Sequence, residues 1–170
     1  MKQLFLMVLL SALISSCGFQ LRGTGGQVLD VERVQVTGSE PELIDELGDT
    51  LKSIGVSVDG TGEPEYVINI VGESLSRRAV ATSGSITVSE YEVQILAVFS
   101  ISSPEGEAII PTSQLRSERV YSFDATNFVS NNEEEALLID EMRQDIAGQL
   151  VRRFSATLRN LSQKTPEPAT

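Results

Sequence analysis

Tyr91-Glu92-Val93-Gln94-Ile95-Leu96-Ala97-Val98-Phe99-Ser100-Ile101 sets Tyr91, Val93, Ile95, Ala97, Phe99 and Ile101 two residues apart. Successive side chains of a strand point to opposite faces, so these six form one long apolar stripe. The rest of the chain must supply its cover. Upstream, Tyr66 to Val71 is rich in β-branched residues, with Ile68 and Ile70 on one side, and continues through Leu75 towards Ala81. Thr82-Ser83-Gly84-Ser85 reads as the tip of a long hairpin whose return arm runs from Ile86 to Ile101. Ser103-Pro104-Glu105-Gly106 then has the composition of a type I turn, with Pro second and Gly fourth. A further strand lies within Ala108 to Phe123, with Leu115, Tyr121 and Phe123 in phase. Pro111 has no backbone N–H to donate, which makes its first part an edge or a bulge.

Two helical patterns provide the cover. Ser39-Glu40-Pro41-Glu42 has the form of a capping box with proline in the first turn. Leu43, Ile44, Leu47, Leu51 and Ile54 follow at helical spacing, and Gly55 marks the stop. Ser130 to Glu135 opens the last helix with a cap and three carboxylates near its positive end. Leu138, Met142, Ile146, Leu150, Phe154, Leu158 and Leu161 continue it at spacings of three and four. Before the first helix, Val34 and Val36 alternate with polar residues as a first strand. After it, Val56 and Val58 form a short extended segment. The expected fold is α+β: two amphipathic helices packed on one face of a four-stranded mixed sheet with a long hairpin.

The N-terminus has a different character. Lys2 precedes an apolar run from Leu4 to Ile14 broken only by Ser11, too short for a membrane span but suited to a secretory signal. Ile14-Ser15-Ser16-Cys17 then has the form of a bacterial lipobox, in which the thiol is acylated and the chain cut before it. Cys17 is the only cysteine, and a lone free thiol is an odd thing to export. The division that follows is a signal peptide over residues 1–16, one domain with a lipidated leash over 17–161, and a disordered tail over 162–170.

Without residues 1–16 the 13 basic residues fall to 12 against 24 acidic ones, a formal balance of −12. That charge argues against a nucleic-acid partner. The chain has no histidine, so the usual triad cannot be built, and no Gly-x-Ser-x-Gly elbow appears. Acidic pairs such as Glu90/Glu92 and Asp140/Glu141 sit at periodic polar positions and need no catalytic reading. No enzyme activity, cofactor or metal is expected. Arg77, Arg78, Arg116 and Arg119 remain as local positive islands, able to meet lipid phosphates or a partner's carboxylates.

Cys17-Gly18-Phe19-Gln20-Leu21-Arg22-Gly23 resembles the mature N-terminus of the LptE family of lipopolysaccharide-assembly lipoproteins. Ser89-Glu90-Tyr91-Glu92, Arg119-x-Tyr121-x-Phe123, Asn127-Phe128-Val129-Ser130 and the helix from Glu135 to Ala147 extend the resemblance over the mature domain. It implies a lipid-anchored outer-membrane protein, exposed to the periplasm and seated as a plug in the lumen of the LptD β-barrel. The implied work is to assist barrel assembly and lipopolysaccharide (LPS) insertion into the outer leaflet, with LPS itself a second partner. The four arginines become candidate LPS or barrel contacts, and Thr82, Ser83, Gly84 and Ser85 the hairpin tip. The chain departs from the family where basic residues are often assigned to LPS: it has Thr82 to Ser85 and Asn127 to Asn132 there. A lipid-anchored carrier or sensor of a small apolar ligand is the alternative, and it requires a cavity between helices and sheet.

Overall fold

A computed structural model describes residues 29–58, 60–82, 88–124 and 126–164. The elements are β1 (Arg33–Gly38), α1 (Pro41–Ser53), β2 (Ser57–Val58), β3 (Tyr66–Thr82), β4 (Val88–Ser102), β5 (Ala108–Ser122) and α2 (Phe128–Lys164). They build a mixed sheet in the order β2-β1-β3-β4-β5. β1 runs parallel to both β2 and β3, and β3, β4 and β5 are antiparallel. The expected α+β class holds, with five strands rather than four. The extra strand is β2, in which Ser57 pairs with Arg33 and Val58 with Val34. Two residues give no alternating pattern to read, and α1 supplies the crossover that a parallel pair needs.

The packing is also more divided than two helices laid evenly over the sheet. α1 lies on β1 and β2, α2 lies on β5 and β4, and the helices pack against each other. Between them Leu43, Leu47 and Leu51 of α1 and Met142, Ile146, Leu150 and Phe154 of α2 are buried. They meet Val34, Ile68, Ile70, Val93, Ile95, Phe99 and Ile101 from the sheet in one core. The apolar stripe of β4 is therefore the floor of that core. Ile54 and Leu161, expected on the buried helical faces, are exposed at the helix ends.

Both helix starts differ from expectation. The helix α1 begins at Pro41 with Glu40 as N-cap and no side-chain capping bond; the Ser39 hydroxyl donates to Glu40 instead. Its end is as expected: Gly55 takes a positive φ, and its N–H and that of Val56 donate to the carbonyls of Lys52 and Leu51. The helix α2 begins two residues before Ser130. Asn127 caps it by accepting from the Ser130 N–H, and buried Asn131 ties the entry to the Asp124 backbone through two hydrogen bonds. Glu133 to Glu135 thus fall beyond the first turn, where a helix dipole does little for them. At 37 residues α2 is roughly 55 Å long, and it runs on to Lys164.

The hairpin arms are long, 17 residues in β3 and 15 in β4. β1 accompanies β3 only from Tyr66 to Ile70. It stops at Gly38, where φ is 148° and a Cβ would lie 2.4 Å from the Ile70 carbonyl oxygen. Beyond that point β3 has β4 on one side and no strand on the other among the described residues. Cys17 and hairpin-tip residues Ser83, Gly84 and Ser85 lie outside the described residues, as do the expected signal and the last six positions. Thr82 is the last described residue of the ascending arm.

Candidate functional site

The four candidate arginines do not form one cluster; the sheet separates them into two pairs. Arg77 and Arg119 both pair in register with Val93, which puts them in one row on the helix-facing side. Arg78 pairs with Glu92 and Arg116 with Leu96, on the opposite, open side. The strand period of two dictates this outcome, because Arg77 and Arg78 are neighbours in sequence.

On the helix side, Arg77 Nη1 donates to Glu135 Oε2 of α2 at 2.7 Å and to the Tyr121 hydroxyl at 3.4 Å. Its guanidinium lies 4.6 Å from the centre of the Tyr91 ring, which stacks on Tyr121. The Tyr121 hydroxyl donates to the same Glu135 oxygen. The hydrogen bonds that Arg77 donates to Glu135 and then to Tyr121 raise its pKa. Burial, then the Glu135 bond, raise that of Tyr121. Arg119 reaches Asp145 at 3.5 Å, a carboxylate that also accepts from Ser117 at 3.0 Å and Gln149 at 3.2 Å. Arg77 thus joins the hairpin arm β3 to α2, and Arg119 joins β5 to the same helix.

A third junction of this kind was not legible as a site. Arg143 of α2 donates to Glu73 of β3 through Nη2 at 2.9 Å and Nε at 3.1 Å, with the Glu73 side chain only 8% exposed. Burial works to lower the Arg143 pKa, but the hydrogen bond and charge of Glu73 outweigh it and leave it raised. The sequence signal was Gly72. The register shifts between Ile70 and Gly72, so odd-numbered residues face the helices after it where even-numbered ones did before. An isolated glycine within a strand is the mark of such a bulge.

The open side carries a ladder of polar side chains. Arg78 Nε meets Glu92 at 2.6 Å, and Glu118 accepts from Gln94 and pairs with Arg116 at 3.4 Å. The Arg78 hydrogen bond, followed by its charge, holds the Glu92 carboxyl below its ordinary range. A depressed carboxyl contributes stability above the unfolded-state pKa and loses it as pH falls through the folded value. In a carbon-detected NMR titration, Glu92 is expected to protonate at lower pH than an ordinary glutamate. Arg78→Gln should return it towards that range; an unmoved titration would show that the two side chains are not paired in solution.

Among the described residues no group of three acidic, histidine or cysteine side chains is placed to hold a metal ion. The larger clefts lie at the two ends of α2. One of about 420 Å³ is lined by Leu29, Tyr66, Ser155 and Leu158, and one of about 450 Å³ by Glu133, Glu134, Leu137 and Leu138. The first opens between the C-terminal end of α2 and the start of β3, outside the ring of Phe154, and the second is lined by α2 residues alone.

A family model described as LptE, Lipopolysaccharide-assembly, matches residues 27–154. No curated protein matches the chain at a significant level. Among solved structures, an uncharacterized lipoprotein B from Nitrosomonas europaea has a TM-score of 0.69 at 23% identity, covering 88% of this chain and 99% of its own. The rare lipoprotein B from Shewanella oneidensis has a TM-score of 0.68 at 22% identity, covering 77% and 99%. A minor lipoprotein from Acinetobacter baumannii has a TM-score of 0.61 at 22% identity, covering 74% and 92%. At these identities the three likenesses speak for the fold.

Proposed function

Because the chain belongs to the LptE lipopolysaccharide-assembly family, we propose that it is a lipid-anchored outer-membrane protein that plugs the LptD β-barrel. In that place it assists barrel assembly and the insertion of LPS into the outer leaflet. The observation that carries this reading is a filled core beneath a projecting ribbon. Phe99, Leu47, Ile146 and Phe154 close the space between helices and sheet, while β3 and β4 run on past β1. A plug presents its outer surface to a partner; a carrier of apolar ligands needs the interior space that these side chains occupy.

Attachment rests on acylation of Cys17. One acyl chain holds a protein only marginally, so stable retention takes two or more, at roughly 0.8 kcal/mol per buried methylene. Of the four arginines, Arg78 and Arg116 are the ones suited to LPS phosphates. Their partners Glu92 and Glu118 share the open face, and both guanidinium groups reach solvent. Arg77 and Arg119 are occupied in joining β3 and β5 to α2.

The test is affinity purification of the tagged lipoprotein from outer membranes. LptD is expected in the eluate, with an intact mass showing acylated Cys17. Deleting Ala81 to Ser85 should leave circular dichroism unchanged and reduce LptD recovery several-fold. Eluates without LptD sink the plug reading, and an unacylated Cys17 sinks the anchor. Normal recovery with the deletion variant would make the hairpin a surface loop.

A further inference from the structure

We infer that the open edge of β3 between Gly72 and Ala79 is a docking site for an extended, uncharged segment of a partner chain. That segment adds as a strand in the lane that β1 vacates, an interaction surface resting on the plug reading above. Register with β4 is unbroken from Gly72 opposite Val98 to Ala79 opposite Tyr91, between one irregularity before it and another after it. The run is eight residues, roughly 26 Å of strand. Its far side offers backbone donors and acceptors to nothing among the described residues.

The other long edge of the sheet is guarded by the usual devices. In β5, Pro111 has no N–H, the Arg116 carbonyl accepts from Gln149 of α2, and the Glu118 carbonyl accepts from Arg119. Arg116, Glu118 and Arg119 add charge to its second half. The β3 edge has no proline, no lysine and no described side chain reaching its backbone. Leu75 stands along it at 48% exposure, with Val71 at 51% just before the run.

The chemistry of the occupant follows from what the edge has already neutralised. All three charged residues in the run are ion-paired: Glu73 with Arg143, Arg77 with Glu135 and Arg78 with Glu92. The others are Gly72, Ser74, Leu75, Ser76 and Ala79. A partner strand gains nothing from carrying charge here, and it gains from an apolar side chain opposite Leu75. The pairs to α2 also fix the arm in place, so little ordering is needed when a strand adds.

Hydrogen exchange on the complex isolated from outer membranes, compared with the purified chain alone, tests this. In the complex, amides of Gly72 to Ala79 should slow by at least about tenfold while those of β5 change little. Leu75→Lys, an edge lysine at an exposed position, should keep the fold and cut recovery of the barrel about tenfold or more. An intact complex whose β3 edge exchanges as in the free chain overturns the inference and leaves the plug reading standing. Absence of the barrel from the wild-type preparation sinks both. Self-association of the wild-type chain that Leu75→Lys abolishes would assign the edge to a second copy and overturn the partner named here.

Discussion

Phe154→Ala is expected to lower the unfolding free energy by about 3–5 kcal/mol, the range for truncating a fully buried phenylalanine. Phe154 has no exposed surface and is among the two largest side chains wholly inside the core. It sits where α2 crosses the start of β3, with its ring edge-on to Tyr66 at 5.2 Å between centres. Such an aromatic pair is worth about 0.5–1.5 kcal/mol beyond buried area, so the loss combines transfer, cavity and ring-contact terms. Partial collapse is possible on one side only, because Tyr66 and the neighbouring Ser155 also line the cleft at the end of α2. Urea unfolding measures the difference. Leu137→Ala on the same helix is the comparison: at 67% exposure its effect should stay within about 0.5 kcal/mol. A loss below about 1 kcal/mol for Phe154→Ala would mean that the buried face of α2 has been wrongly identified.

That face was legible in the sequence because α2 repeats apolar residues at spacings of three and four over many turns. The stripe of β4 was legible for the same reason, at a spacing of two. Both patterns are long, and long periodic signals survive local exceptions. What stayed hidden had short or interrupted signals. β2 has two residues, and its existence depends on where β1 lies. The bulge at Gly72 reverses which side chains of β3 face the helices, so Glu73 reads from sequence as a solvated strand residue although it is almost wholly buried. Caps differ from expectation because several residues compete for each helix start: at α2 Asn127, three residues before Ser130, takes the capping position. The period of two separates Arg77 from Arg78 and Arg116 from Arg119, but which member of each pair faces the helices follows from pairing register, which no single strand encodes. The family resemblance supplied the functional reading that composition could not.

Glu73→Leu is expected to cost about 2–4 kcal/mol, and the double replacement Glu73→Leu/Arg143→Leu to recover most of it. The asymmetry has a physical origin. Removing one member of a largely buried ion pair strands the other charge away from water, at about 3–5 kcal/mol when burial is complete. Here Arg143 keeps 19% of its side chain exposed and has Asp140 nearby at 3.6 Å, which softens the penalty. Replacing both partners removes the stranded charge and adds apolar contact, and such exchanges are often neutral or stabilising. The double variant should therefore fall within about 1 kcal/mol of the wild type, giving a coupling energy of about 2 kcal/mol or more in the cycle. The same variant tests what the pair is for. Glu73 lies on β3 just past the end of β1, and Arg143 lies midway along α2, so the bond fastens the projecting arm to the body. If that is its role, the double variant should match the wild type in urea yet show faster amide exchange along the arm beyond Gly72. A single replacement costing less than about 0.5 kcal/mol would place the pair among ordinary surface bridges. Unchanged exchange in a stable double variant would show that β4 alone is enough to hold the arm.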